Sequence, residues 1–335
     1  MSCNAVEEAS LNDQLKPLFI FSLPRSGSTL LQRILAAHHD IETVSEPCFL
    51  LPLIYTMRKD SVYAEYGHKL VTTGIEDLCR ELPRGENDYH EAIHDFAMSL
   101  YGKASQRSVK YFLDKTPRYS LIVDDIIRIF PEGKFIVLVR NPLAIISSIL
   151  ETFKGGRWCL YAYNADLFIG LSKLISACKE YADRIHLVRY EDLITEAETV
   201  WQPLFEYMGL SFDKELFVKF NSIELKGLGD PVGAKQYKFI SEEPLLKWKR
   251  SLSNPLRKAW CRRYLCWVGK ERLKIIGYDL DNLLSELDSI PSTMHMFCSD
   301  FVRIPYGVVS RVMEPELVMH KVRLFPDWHK INLHY

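Results

Sequence analysis

Pro24-Arg25-Ser26-Gly27-Ser28-Thr29 puts a guanidinium, three hydroxyls and a glycine into six consecutive positions. These residue types hold a tetrahedral oxyanion: a planar cationic fork, small hydroxyl donors, and a backbone that can approach closely. A second cation and hydroxyl follow far downstream, Arg140 and, eight residues on, Ser148. Between them lie Glu46, in Ser45-Glu46-Pro47, and Lys115, in Asp114-Lys115-Thr116-Pro117. The chemistry these four places allow is capture of a polyanion at two points, with a carboxylate available to take a proton.

The elements that must position them can be read from the same sequence. Leu18 to Phe21 is an apolar run that predicts a buried parallel strand, Ser22 to Ser28 has the small-residue and Pro punctuation of a tight loop, and Thr29 to about His38 predicts a helix with Leu30, Leu31, Ile34 and Leu35 on one face. Unpaired N–H groups and the helix dipole at such a start favour an anion. The phosphate loop G-x-x-x-x-G-K-[ST] is the general template, and this loop departs from it. Position 22 is Ser where the template needs Gly, Ser28 stands where it needs Lys, and the cation has moved to the front as Arg25. That arrangement suits a phosphate–sulfate mixed anhydride better than a magnesium triphosphate. Arg140 likewise follows an apolar strand, Phe135 to Val139, and Ser148 falls two helical turns later.

Pro24 to Thr29 resembles the 5′-phosphosulfate loop of sulfotransferases that use 3′-phosphoadenosine-5′-phosphosulfate (PAPS), and Arg140 with Ser148 is similar to that family's second signature. The likeness runs from about Pro17 to Asp279 and leans toward the tyrosylprotein and bacterial branch. It implies an α/β, three-layer, P-loop-like fold with a central parallel sheet flanked by helices. It also implies transfer of a sulfuryl group from PAPS to a hydroxyl or amine, leaving adenosine 3′,5′-bisphosphate and requiring no metal. Arg25 with the backbone of Ser26, Gly27, Ser28 and Thr29 would hold the 5′-phosphosulfate, and Arg140 and Ser148 the 3′-phosphate. Glu46 would serve as general base, with a helix-cap role as its structural alternative. Lys115 would offset charge on the leaving phosphate. Tyr190, in a turn resembling the family's RYEDL, would lie against the adenine, with Glu191 and Asp192 orienting that turn. Lys247 and Trp248, at the end of a basic loop carrying Lys235 and Lys238, would cover the cofactor. Where the tyrosylprotein branch has a further Arg, this chain has Thr152, so Lys154 or the late loop would have to contribute.

Composition narrows the rest. The 335 residues are 47% hydrophobic and 25% charged with net charge −1; this suits one large core and disfavours nucleic acid as a partner. No run of 18 apolar residues is present and the first residues are acidic and polar, so the expectation is a cytoplasmic protein with no membrane partner. Eight scattered cysteines suit reduced thiols. His90 and His94, one turn apart, read as a solvated helix face, and His38 and His39 as a helix end. The expected organisation is a tail at 1–16, the sulfotransferase-like domain at 17–280, and an extension at 281–335 packed on the same domain. For that extension a cover over the acceptor pocket, a contact within a homodimer and a surface wrap stay open. The expected acceptor is a small molecule. Two rival readings remain: a kinase using Mg-ATP, and a nucleotide-binding protein without catalysis.

Overall fold

The computed structural model of the protein describes residues 15–60, 62, 64, 67–225 and 241–313. Five strands, β1 (Lys16–Ser22), β2 (Ile41–Thr43), β3 (Tyr111–Asp114), β4 (Lys134–Val139) and β5 (Ile185–Arg189), form one sheet in the order β2-β3-β1-β4-β5. All four neighbouring pairs are parallel.

Successive side chains on a strand face opposite sides, and these strands are apolar at both parities. Phe19, Phe21, Phe112, Phe135 and Val137 enter one core; Leu18, Ile20, Leu113, Ile136 and Leu138 enter the other. A sheet buried on both faces needs a helical layer on each. The helices Ser28–Ala36 and Ala197–Met208 cover the second face, while Val123–Ile129, Pro142–Lys154, Leu171–Glu180 and Pro255–Val268 cover the first. This is the three-layer α/β architecture the sequence implies.

Because all strands run the same way, the loops after β1, β2, β3 and β4 gather at one edge. The chain leaves β1 toward β2 on one side and later reaches β4 on the other, so the crevice between β1 and β4 is the switch point at which open sheets bind ligands. Arg25 follows β1 and Arg140 follows β4.

Three sequence readings are corrected. Residues 160–183, whose sequence reads as one long helix, form instead a 3₁₀ turn (Leu160–Tyr163), a π-helical stretch (Ala165–Gly170) and a helix (Leu171–Glu180). The π-helical stretch packs closely on the Pro117–Leu121 turn: a Cβ on Gly170 would sit 2.7 Å from Ser120 Oγ. The extension, whose sequence reads as having little periodicity, holds a 17-residue helix, Phe297–Met313, with Pro305 inside it. Ile304 packs on the core while Phe301, Val302, Tyr306, Val308 and Val309 are exposed. Trp260, Tyr264, Trp267 and Val268, which in the sequence read as a core-facing stripe of the closing helix, are only partly core: Tyr264 and Val268 are buried, and Trp267 is 42% exposed. Lys235 and Lys238 lie outside the described residues. No helix among the described residues is long and apolar enough to cross a membrane.

Candidate active site

The loop after β1 folds as a strand-to-helix turn. Gly27 caps the Ser28–Ala36 helix at φ 92°, a conformation natural to glycine, and a Cβ there would lie 2.3 Å from the Tyr190 ring. Gly27→Ala therefore combines left-handed strain with a clash. It should lower unfolding free energy by at least about 1–3 kcal/mol, readable by urea titration. Arg25 itself sits at φ 69°, the kind of backbone strain that clusters at functional sites.

Arg140 reaches across from β4. Its Nη1 donates to the Arg25 carbonyl at 3.0 Å and its Nη2 to the Pro244 carbonyl at 2.9 Å, while the guanidinium lies 4.4 Å from the Tyr190 ring centroid. Among the described residues no carboxylate pairs with Arg140, so its positive charge meets only carbonyl dipoles and a ring. The helix that follows is started by Asn141, whose side chain accepts from Leu143 N at 2.9 Å, with Pro142 in its first turn. That helix carries Ser148 back over the β1 loop, where Arg25 Nε donates to Ser148 Oγ at 3.2 Å.

Two motifs more than a hundred residues apart thus open into one cavity of about 350 Å³. Its walls are Arg25 and Arg140, then Ser147, Ser148, Glu151 and Thr152 from the helix, and Pro244, Lys247 and Trp248 opposite. The volume lies in the usual range for small-ligand sites. Tyr190, expected against a nucleotide base, is 1% exposed and wedged between Gly27 and Arg140. It supports the loop from below and is not part of the cavity wall. Glu191 orients the turn: its carboxylate accepts from Asn141 N at 2.9 Å and from Tyr278 OH at 2.6 Å.

On the other side of β1, the turn after β3 presents Lys115. Lys115 Nζ meets Glu46 Oε1 at 2.6 Å, with Lys115 1% and Glu46 19% exposed. Two residues that read in the sequence as having separate tasks are joined in the structure as one recessed ion pair. The turn that holds Lys115 is anchored by Asp114, which accepts from Tyr101 OH at 2.7 Å, Tyr119 OH at 3.2 Å and Thr116 Oγ1 at 3.4 Å. Thr116 Oγ1 in turn accepts from Cys48 N at 3.3 Å, and Tyr119 OH from Leu50 N at 3.4 Å, which stitches the Glu46 turn to the Lys115 turn.

Complete burial pushes the Asp114 carboxyl up to about 7 from 3.8, with the hydroxyl hydrogen bonds pulling the other way. A carboxyl whose folded pKa exceeds its unfolded one binds more protons when folded, so it favours folding at low pH. That contribution should be lost as pH rises from about 4 through about 7. Asp114→Asn should flatten this part of the stability profile in denaturant titrations at several pH values. A slope unchanged by the substitution would contradict the assignment.

The histidines lie elsewhere. His94 is held by Glu132 at 2.9 Å, and that hydrogen bond pushes it up to about 9, which makes it a cation in an ion pair. The one group among the described residues close enough to share a metal ion is His38, His39 and Asp40. Asp40, immediately before β2, accepts through its carbonyl from Tyr111 N, the first residue of β3, at 3.0 Å, which places the group at the start of these strands while Arg25 follows the end of β1. Sequence reasoning placed Asp114 and Thr116 in the Lys115 turn without a role, and it missed Pro244 and Tyr278, whose contacts with Arg140 and Glu191 lie far away in the chain.

A parallel sheet with an anion-ready loop at its switch point defines the P-loop-like α/β class. Within it, the profile described as "Sulfotransferase family" matches residues 17–214, and the chain belongs to that family. The nodulation protein NoeE of Sinorhizobium fredii is 34% identical over 135 residues, 40% of this chain and 31% of that protein. Protein-tyrosine sulfotransferase 1 of Danio rerio is 24% identical over 254 residues, 71% of this chain and 66% of that one. The chain therefore spans less than two thirds of either relative. The solved sulfotransferase domain from the curacin biosynthetic pathway shares the fold, with TM-score 0.50 and 23% identity over 76% of this chain and 97% of that one.

Proposed function

We propose that this sulfotransferase moves the sulfuryl group of PAPS onto a hydroxyl or amine of a small-molecule acceptor. The observation that carries the reading is the meeting of Arg25, Arg140 and Ser148 at one cavity. Two cationic cradles on one cavity match a nucleoside that bears a phosphate at each end of its ribose.

Sulfuryl transfer asks mainly for alignment and charge stabilisation. Arg25 and the N–H groups of Gly27 to Thr29 hold the 5′-phosphosulfate, the Ser26 N–H being spent on the Leu23 carbonyl at 3.3 Å, and Arg140 and Ser148 hold the 3′-phosphate. Arg25 releases Ser148 as it turns to the anion. Lys247 and Trp248 flank the nucleotide. The acceptor oxygen or nitrogen attacks sulfur, the sulfur–oxygen bond to the 5′-phosphate breaks, and the acceptor's proton passes to Glu46. Lys115 fixes the orientation of Glu46 and offsets charge on the phosphate side. Adenosine 3′,5′-bisphosphate leaves, and no metal takes part. A base as recessed as Glu46 favours an acceptor that can enter the fold, as a small molecule does without the cost of ordering a chain. A tyrosine on an extended peptide is the second reading, favoured by the name of the Danio rerio relative.

The test is incubation with ³⁵S-labelled PAPS and a panel of phenols, alcohols, amines and tyrosine peptides. Label on a small hydroxyl or amine is the expected result. Label on the peptides alone would replace the small-molecule acceptor, and bisphosphate binding with no transfer to any acceptor would favour a non-catalytic role.

A further inference from the structure

Arg257 is fully buried in the Pro255–Val268 helix, outside the residues that match the family profile. Its guanidinium joins three separate parts of the chain. Nη1 donates to the Ser251 carbonyl at 2.9 Å, Nη2 to the Gly156 carbonyl at 2.5 Å, and Nε to Asp300 Oδ2 at 2.5 Å. Ser251 ends the short helix that begins with Trp248, and Gly156 lies just past the helix that carries Ser148. Those are the two facing walls of the 350 Å³ cavity. Asp300, on the Phe297–Met313 helix, is also fully buried, takes a second bond from Arg257 Nη2 at 3.1 Å, and accepts from Asn254 Nδ2 at 3.0 Å.

We infer that the Asp300–Arg257 pair is a clamp that sets the width of the nucleotide cavity, and that Asp300 is a positioning residue for donor binding. The inference rests on the reading of that cavity as the PAPS site. A buried guanidinium keeps its place only while its charge is balanced and its donors are used. Asp300 supplies the balance, and the two carbonyl bonds then fix the spacing between the Ser148 helix and the Trp248 helix. The segment before Asp300 is tied to the same place, with Thr293 N donating to Ser253 O at 3.0 Å and Asn254 Nδ2 to His295 O at 3.0 Å. The extension therefore acts on donor affinity from outside the cavity, and no residue of it need touch the nucleotide.

The test is calorimetric titration of adenosine 3′,5′-bisphosphate into the full chain, with steady-state kinetics alongside. Asp300→Asn should weaken bisphosphate binding by roughly 10- to 100-fold, the range seen when an orienting partner behind a ligand site is lost. The KM for PAPS should rise while the acceptor KM holds. Should Asp300→Asn fail to fold, the pair Arg257→Met with Asp300→Leu removes the clamp without leaving a lone buried charge, and it should weaken binding by the same factor. Leu287→Ala opens a hole in the core of the neighbouring helix, Leu280–Ser289. It should lower the melting temperature yet leave bisphosphate affinity as it is, which separates positioning from general destabilisation. Variants that bind within about twofold of the parent overturn the clamp alone. A parent protein that binds no bisphosphate overturns the reading of the cavity, and the clamp with it.

Discussion

Arg25→Ala is expected to lower kcat by about 10²- to 10³-fold, the cost of removing one preorganised donor from a developing charge. The residue is held in a left-handed conformation at φ 69°, its carbonyl is pinned by Arg140, and its side chain points along the cavity to Ser148. Arg25→Lys should recover little of the loss, because an ammonium cannot present the planar fork. Single-turnover transfer from labelled PAPS, measured with both variants saturated in donor, separates the chemical step from binding. A rate for Arg25→Ala within a few fold of the parent would remove Arg25 from the proposed machinery.

Glu46→Gln carries the second large effect. The amide keeps an acceptor for Lys115 Nζ, now 2.6 Å from Glu46 Oε1, so the turn should stay in place while the proton acceptor is lost. The expected result is a fall in kcat of about 10²- to 10⁴-fold with bisphosphate affinity unchanged. If nucleotide affinity collapses in step with the rate, the Lys115–Glu46 pair is a structural strut for the β2 and β3 turns and the base lies elsewhere. Its neighbour Asp114 supports the pair through Tyr101, Tyr119 and Thr116, so Asp114→Asn should alter the rate far less than Glu46→Gln does.

What the sequence made legible follows from how local each signal is. The strands β1 and β4 are uninterrupted apolar runs ending in Arg-bearing turns, so both the sheet and the two cradles could be placed from contiguous residues. The pairing of Lys115 with Glu46 could not. Those residues come from different strand ends 69 positions apart and meet only because β2 and β3 are neighbours. Tyr190 misled for a related reason: a turn motif gives the place of a residue but not the side its ring takes, and here the ring fills the space that Gly27 leaves. The π-helical stretch Ala165–Gly170 packs on Ser120, far away in the chain, and carries no local mark of its own. Arg257 and Asp300 had no motif at all, since a buried ion pair has meaning only once three chain segments are assembled around it.

In the proposed reading one cavity holds both ends of a single nucleoside bisphosphate. Metal-free titration with adenosine 3′,5′-bisphosphate and with adenosine 5′-monophosphate, alongside Mg-ATP, decides whether it does. The predicted result is bisphosphate binding at least about tenfold tighter than the monophosphate, an advantage that Arg140→Ala erases. Equal affinity for the two nucleotides, or a preference for Mg-ATP, would contradict it.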